Sequence, residues 1–249
     1  MSAPVLLVVA HGSRDPRHAA TVHALVRRTG SLRPGLRVET AFLDFNLPSV
    51  PGVLDRLAAE GVRDVVALPL LLTRAFHAKA DIPAVLRQAP PGLRIRQAEV
   101  LGPSPLLVAA VQRRLYEAGL TPATRNTTGV VLASAGSTDP EAIAAIAETA
   151  RELRRTGWCS VRPAFASASL PRTEDAVRAM RADGVRRVAV APYVIAPGRL
   201  PDRIAAGAAE ADVLADVLGP SPELAQLLVD RYEECHAPAA KPLATRAAG

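Results

Sequence analysis

Apolar and polar positions along this chain follow two rhythms, one of strands and one of helices, and the whole pattern occurs twice. Val5 to Ala10, VLLVVA, is an unbroken apolar run of strand length that delivers His11 onto a Gly-Ser-Arg-Asp-Pro turn. Such a run reads as a strand covered on both faces, the habit of parallel sheets with helices on either side. Pro16 to Gly30 then sets Ala20, Val22, Leu25 and Val26 at helical spacing and stops at a glycine suited to a helix end. Leu36 to Phe45 alternates as a strand, and Ser49 to Glu60 predicts a helix closed by Gly61. Val62 to Leu72 predicts a central strand, with Pro69 marking a point where one neighbour is missing. A loop, TRAFHAKADIP, leads into a helix near Asp81 to Gln88, then a strand over Leu93 to Leu101 and a helix over Ser104 to Ala118. Four βα units in succession predict an α/β fold built on a four-stranded parallel sheet flanked by helices.

After the polar stretch TPATRNTT the order begins again. VLLVVAHGSRDP is echoed by VVLASAGSTDP at Val130 to Pro140, and AFLDFNLPSV by AFASASLPRT at Ala164 to Thr173. GVRDVVALPLLL returns as GVRRVAVAPYVI at Gly184 to Ile195, and LGPSP appears both at Leu101 and at Leu218. Landmarks recurring in one order mark a tandem duplication. The expected organisation is an active α/β unit at 1–120, a linker at 121–128, a degenerate repeat at 129–236 and a disordered tail at 237–249, with a cleft between the two units.

Composition narrows the function classes. No apolar run approaches the ~18 residues that span a bilayer, and the N-terminus has no basic segment of the kind that begins a secretory signal. Cys159 and Cys235 fit neither a metal-finger nor a disulfide spacing. The expectation is a cytoplasmic protein without a membrane partner. The balance of 30 Lys+Arg against 24 Asp+Glu, carried almost wholly by Arg, suits an anionic small molecule. With 3% aromatics and no basic run, nucleic acid is not expected.

The chemistry-bearing residues gather at one sheet edge. His11 follows the first strand, Asp44 ends the second and His77 follows the third, so all three would project from the carboxyl edge of one sheet, where open α/β folds keep their ligands. In the second copy the same places hold Ala135, Ser167 and Leu200. Groups able to bind metal or move a proton have gone, while most of the glycines and prolines that shape the turns remain. Two neutral imidazoles and a carboxylate suit a divalent first-row metal held with open positions, or a general base beside it. Arg14 and Arg74 could clamp substrate carboxylates, and Ser13, with the turn N–H groups, could hold an anion. His18 and His23 are expected on solvated faces of the first helix.

HGSRDP after the first strand, AFLD before a Pro-Ser helix start and PLLLTRAFHAKADIP after the third strand together resemble the sirohydrochlorin chelatases of sirohaem and cobalamin biosynthesis, in their two-domain form. The resemblance implies insertion of Fe²⁺ or Co²⁺ into a tetrapyrrole bearing eight carboxylates, without ATP or an organic cofactor. It implies that His11 and His77 are the paired metal-site histidines and that Asp44 is the motif carboxylate. The chain departs from the family in having Asp44 where Glu is usual and Ala75 where Gly is usual. A monomer is expected, since two fused units can replace a dimer of single ones. The rival readings are a metal carrier and a His-dependent phosphatase; the latter would place Arg before the His-Gly pair, where this chain has Ala10.

Overall fold

The computed structural model describes residues 3–236; the tail expected to be disordered, 237–249, lies outside the described residues. The first half runs β1 (Val5–Ala10), α1 (Pro16–Leu32), β2 (Val38–Phe42), α2 (Val50–Ala59), β3 (Asp64–Pro69), a π-helical turn (His77–Asp81) continuing into α3 (Ile82–Leu86), β4 (Arg94–Gln97) and α4 (Pro105–Glu117). A 3₁₀ turn (Pro122–Thr127) leads to β5 (Thr128–Ser134), α5 (Pro140–Arg155), β6 (Ser160–Phe165), α6 (Thr173–Ala182), β7 (Arg187–Tyr193), α7 (Arg199–Gly207), β8 (Val213–Leu214) and α8 (Pro222–His236). The two sheets have the orders β2-β1-β3-β4 and β6-β5-β7-β8, with every pairing parallel.

Local chemistry explains the element ends. Asp15, Ser49, Ser104 and Asp139 each cap a helix by accepting a backbone N–H of its first turn, and each is followed by a proline in that turn. β4 is shorter than its sequence pattern because its Arg-Ile-Arg-Gln face lies at the open edge, and pairing ends at Ala67↔Gln97. Pro69 sits just past that last pairing, still beside Val9 of β1, so its missing N–H leaves no β4 carbonyl unanswered. The helix after β3 starts earlier than the sequence pattern suggests. Pro83 has no N–H to return to Lys79, and Ile82 N–H instead reaches back to the His77 carbonyl, which winds 77–81 as a π turn.

One apolar core joins the two halves. The inner faces of both sheets, through Leu6, Val8 and Leu68 on one side and Val130, Leu132 and Ala191 on the other, belong to a continuous buried cluster with residues of α1, α4, α5 and α8. The last helix of each half crosses over: α4 packs against β7 of the second sheet and α8 against β3 of the first. The outer faces keep separate cores, one under α2 and α3 and one under α6 and α7. This sandwich of helices between sheets fixes how the two carboxyl edges meet.

Two ion-pair clasps reinforce that meeting. Lys79 Nζ lies 2.7 Å from Asp139 Oδ2 and 2.7 Å from Glu141 Oε2, and Arg17 donates to Asp202 Oδ2 at 2.9 Å. The duplication relates Asp15 and Arg17 to Asp139 and Glu141, and Lys79 to Asp202. The clasps are therefore copies of one contact with the charges exchanged. Lys79→Glu is expected to speed backbone hydrogen exchange across 77–81, because it gathers three carboxylates; Glu141→Lys in the same chain should slow it again.

Candidate active site

The sheet order makes β1 and β3 neighbours at the point where successive connections run in opposite directions. A crevice opens beyond the strand ends at such a switch point. His11 follows β1 directly, and His77 opens the π turn after β3. Their rings stand 4.5 Å apart between centroids with planes inclined at 70°. A proton on Nδ1 satisfies both rings' remaining contacts: His11 Nδ1 donates to the Gly12 carbonyl at 3.2 Å, and His77 Nδ1 to Asp81 Oδ2 at 2.6 Å. Both Nε2 lone pairs are then free. Metal–nitrogen bonds of about 2.1 Å on each side can bridge such a gap.

Backbone geometry holds His11 in place. Gly12 has φ +96°, and a Cβ there would stand 1.8 Å from the Asp44 carbonyl oxygen. Gly136 in the second half has the same conformation against Ser167. Asp44 N–H donates to the His11 carbonyl at 2.9 Å, tying the end of β2 to this turn.

Asp44 itself bonds to neither ring. Its carboxylate is exposed and accepts the Phe45 N–H at 2.8 Å. β2 lies on the far side of β1 from β3, so its end reaches the His11 backbone but not the His77 turn. The carboxylate on an imidazole is Asp81, four residues after His77, an arrangement that orients a ligating ring. Asp81→Asn is expected to weaken Co²⁺ binding about 10-fold or more, as measured by calorimetry on the metal alone.

Beyond the two rings lies a cavity of about 820 Å³, open between the halves and walled on the far side by Ala135, Tyr193, Ala196 and Leu200. Ala135, Ala196 and Leu200 stand where the first half has His11, Thr73 and His77, so one wall carries the imidazoles and the facing wall does not. Burial pushes the Tyr193 phenol up to about 12, so its hydroxyl stays protonated. Ser13 lines the cavity, but its hydroxyl accepts the Asp15 N–H at 3.1 Å, and its own N–H is taken by Asn46 Oδ1 at 2.8 Å. Arg14 stacks over Phe45 at 5.2 Å from the ring centroid, and Arg74 is exposed beside the cavity without lining it. The cationic side chains that do line it, among the described residues, are Lys79 and Arg199.

His18 is not on a solvated face. It stands four residues before Val22, on the stripe that turns inward, and it lines the cavity. His23 packs edge-on to Phe42 at 5.7 Å. Among the described residues, no group of three or more His, Cys, Asp or Glu side chains converges to enclose an ion. Two imidazoles with open positions suit an ion that arrives and departs rather than one that stays.

A duplicated, doubly wound α/β chain with paired imidazoles on one lobe of a shared cleft defines a two-lobed class in which the two lobes differ in their chemistry-bearing side chains. The CbiX family model matches residues 5–118 and again 129–235, and the chain belongs to that family, which it carries twice. It is 28% identical over 244 residues to the sirohydrochlorin cobaltochelatase of Priestia megaterium, covering 92% of this chain and 79% of that one. It is 27% identical over 205 residues to the sirohydrochlorin ferrochelatase of Bacillus subtilis, covering 80% and 77%. Among solved structures, SirB from Bacillus subtilis with Fe³⁺ superposes with a TM-score of 0.81 at 25% identity, covering 94% of this chain and 96% of that one. Both curated relatives and the solved structure span both halves of the chain.

Proposed function

We propose that this protein inserts a divalent metal ion, Fe²⁺ or Co²⁺, into sirohydrochlorin with release of two protons. The observation that carries the proposal is the pair of imidazoles, ring centroids 4.5 Å apart and Nε2 atoms free, at a cleft of about 820 Å³ in a chain of the CbiX family. The metal is a substrate. His11 and His77 present it to the macrocycle, and Asp81 positions His77. Residues 1–120 supply the chemistry, and 129–236 supply the opposing wall against which the flat ring lies. Arg199 offers a partner to a carboxylate at the ring's edge, and the backbone of the Gly12–Ser13 turn holds the first imidazole.

Neither ATP nor an organic cofactor enters this scheme, since coordination replaces four metal–ligand bonds by four metal–nitrogen bonds while protons leave. One chain supplies both walls of the cleft, so the working unit is a monomer. The reading assigns the reaction to the cytoplasm; among the described residues no helix is long and apolar enough to cross a membrane. Mixing the purified chain with sirohydrochlorin and either ion should shift the macrocycle's visible absorption at a rate proportional to enzyme. An absorption change no faster than in buffer would refute the proposal.

A further inference from the structure

The cavity contains a third imidazole that the scheme above does not use. His18, in the first turn of α1, lines the same wall as Val22, and its Nδ1 is sealed from solvent with no hydrogen-bond partner. Buried polar atoms without partners are uncommon, and one at a cleft calls for an explanation in function. With Nδ1 sealed, Nε2 is the nitrogen that a bound macrocycle can meet. Burial first, and the nearby His11 second, lower its pKa from the ordinary imidazole value, which keeps the ring neutral near pH 7. The duplication places buried Ala142 at the equivalent position. The second half thus lacks this group as it lacks the other two.

The proton balance of metal insertion needs such a group. While His11 and His77 hold the ion, their Nε2 lone pairs are committed to it and cannot take the first pyrrole proton. We propose that His18 is a catalytic residue that accepts that proton, an inference that rests on the chelatase reading. In this step a pyrrole N–H bond breaks and its electron pair stays on nitrogen to form a nitrogen–metal bond. The proton passes to the Nε2 lone pair of His18, whose resident ring hydrogen is on Nδ1. As the ion moves onto the ring nitrogens, His11 and His77 recover their lone pairs, and one of them takes the second proton. Partial burial and the nearby His11 disfavour the positive charge of the protonated ring, so it returns the Nε2 proton to water in the cleft and is ready for another cycle.

His18→Ala and His18→Gln, assayed with Co²⁺ and sirohydrochlorin, test this. Both should lose kcat by about 100-fold or more, with KM for sirohydrochlorin and calorimetric Co²⁺ affinity kept within about twofold of the parent chain. Added imidazole should recover part of kcat in His18→Ala and none in His18→Gln, whose side chain fills the space. A wild-type kcat in His18→Gln would overturn the inference, as would a loss of Co²⁺ affinity matching the loss of kcat, which would make His18 a support for the metal site. If the parent chain fails to metallate sirohydrochlorin, the chelatase reading falls and takes this with it. If the parent is active and the His18 variants equally so, only this inference falls.

Discussion

His77→Ala is expected to lower kcat/KM for metal insertion by about 100-fold or more, while leaving the affinity for metal-free sirohydrochlorin near that of the parent. The reasoning is one of ligand number. Among the described residues no third His, Cys, Asp or Glu side chain converges on the pair, so removing one imidazole leaves the ion with a single protein ligand. The His77–Asp81 pair is lost with it, while the π turn keeps the Lys79 ion pairs and the Gln97 bond to the Ala78 carbonyl. His11→Ala should behave alike, and the double variant should be little worse than either single one, because the two rings act as a unit. Absorption kinetics on the three variants decide the matter. A His77→Ala chain with the parental rate would refute the assignment.

Gly12→Ala is the change expected to cost most in stability. Two independent effects meet at this residue: its φ of +96° is one that side chains rarely adopt, and the new Cβ would stand 1.8 Å from a backbone oxygen, that of Asp44. Neither can relax without moving the end of β2 away from the His11 turn and breaking the Asp44 N–H bond to the His11 carbonyl. The loss should reach about 3 kcal/mol or more, read as a fall in urea midpoint. Gly61→Ala is the matched control, since φ there is +78° with nothing near the added Cβ, and only conformational strain of about 1–2 kcal/mol applies. Equal losses in the two variants would show that the close approach at Gly12 is unimportant.

Much of this architecture is legible in the sequence because its signals are local. Unbroken apolar runs such as VLLVVA mark doubly covered strands, and the duplicated landmarks disclose two units. Alternation of strands and helices then implies parallel sheets whose carboxyl edges carry His11 and His77. The contrast of His11 with Ala135, and of His77 with Leu200, sets the first lobe apart from the second in the sequence alone. What escapes is set by packing at a distance. The crossing of α4 onto β7 and α8 onto β3 leaves no local trace, because an apolar helix face does not say which sheet it meets.

The carboxylate partner is hidden in the sequence for a different reason. Starting the helix at Asp81 leaves His77 in a loop, where spacing means nothing; once the π turn is seen to begin at His77, Asp81 falls one turn on and becomes its neighbour. Asp44, adjacent to the site in sheet order, is turned away by strand placement, with β1 between it and β3. His18 did leave a signal. Its spacing of four from Val22 places it on the inward stripe, a position that a polar residue type conceals.

The central claim is that one ion touches both rings. Anomalous diffraction from crystals soaked in Co²⁺ alone tests it most directly. The predicted result is a single cobalt peak about 2.1 Å from Nε2 of both His11 and His77, with solvent filling the other positions. A peak bound to only one of these rings, or lying outside the cleft between the halves, would contradict the account.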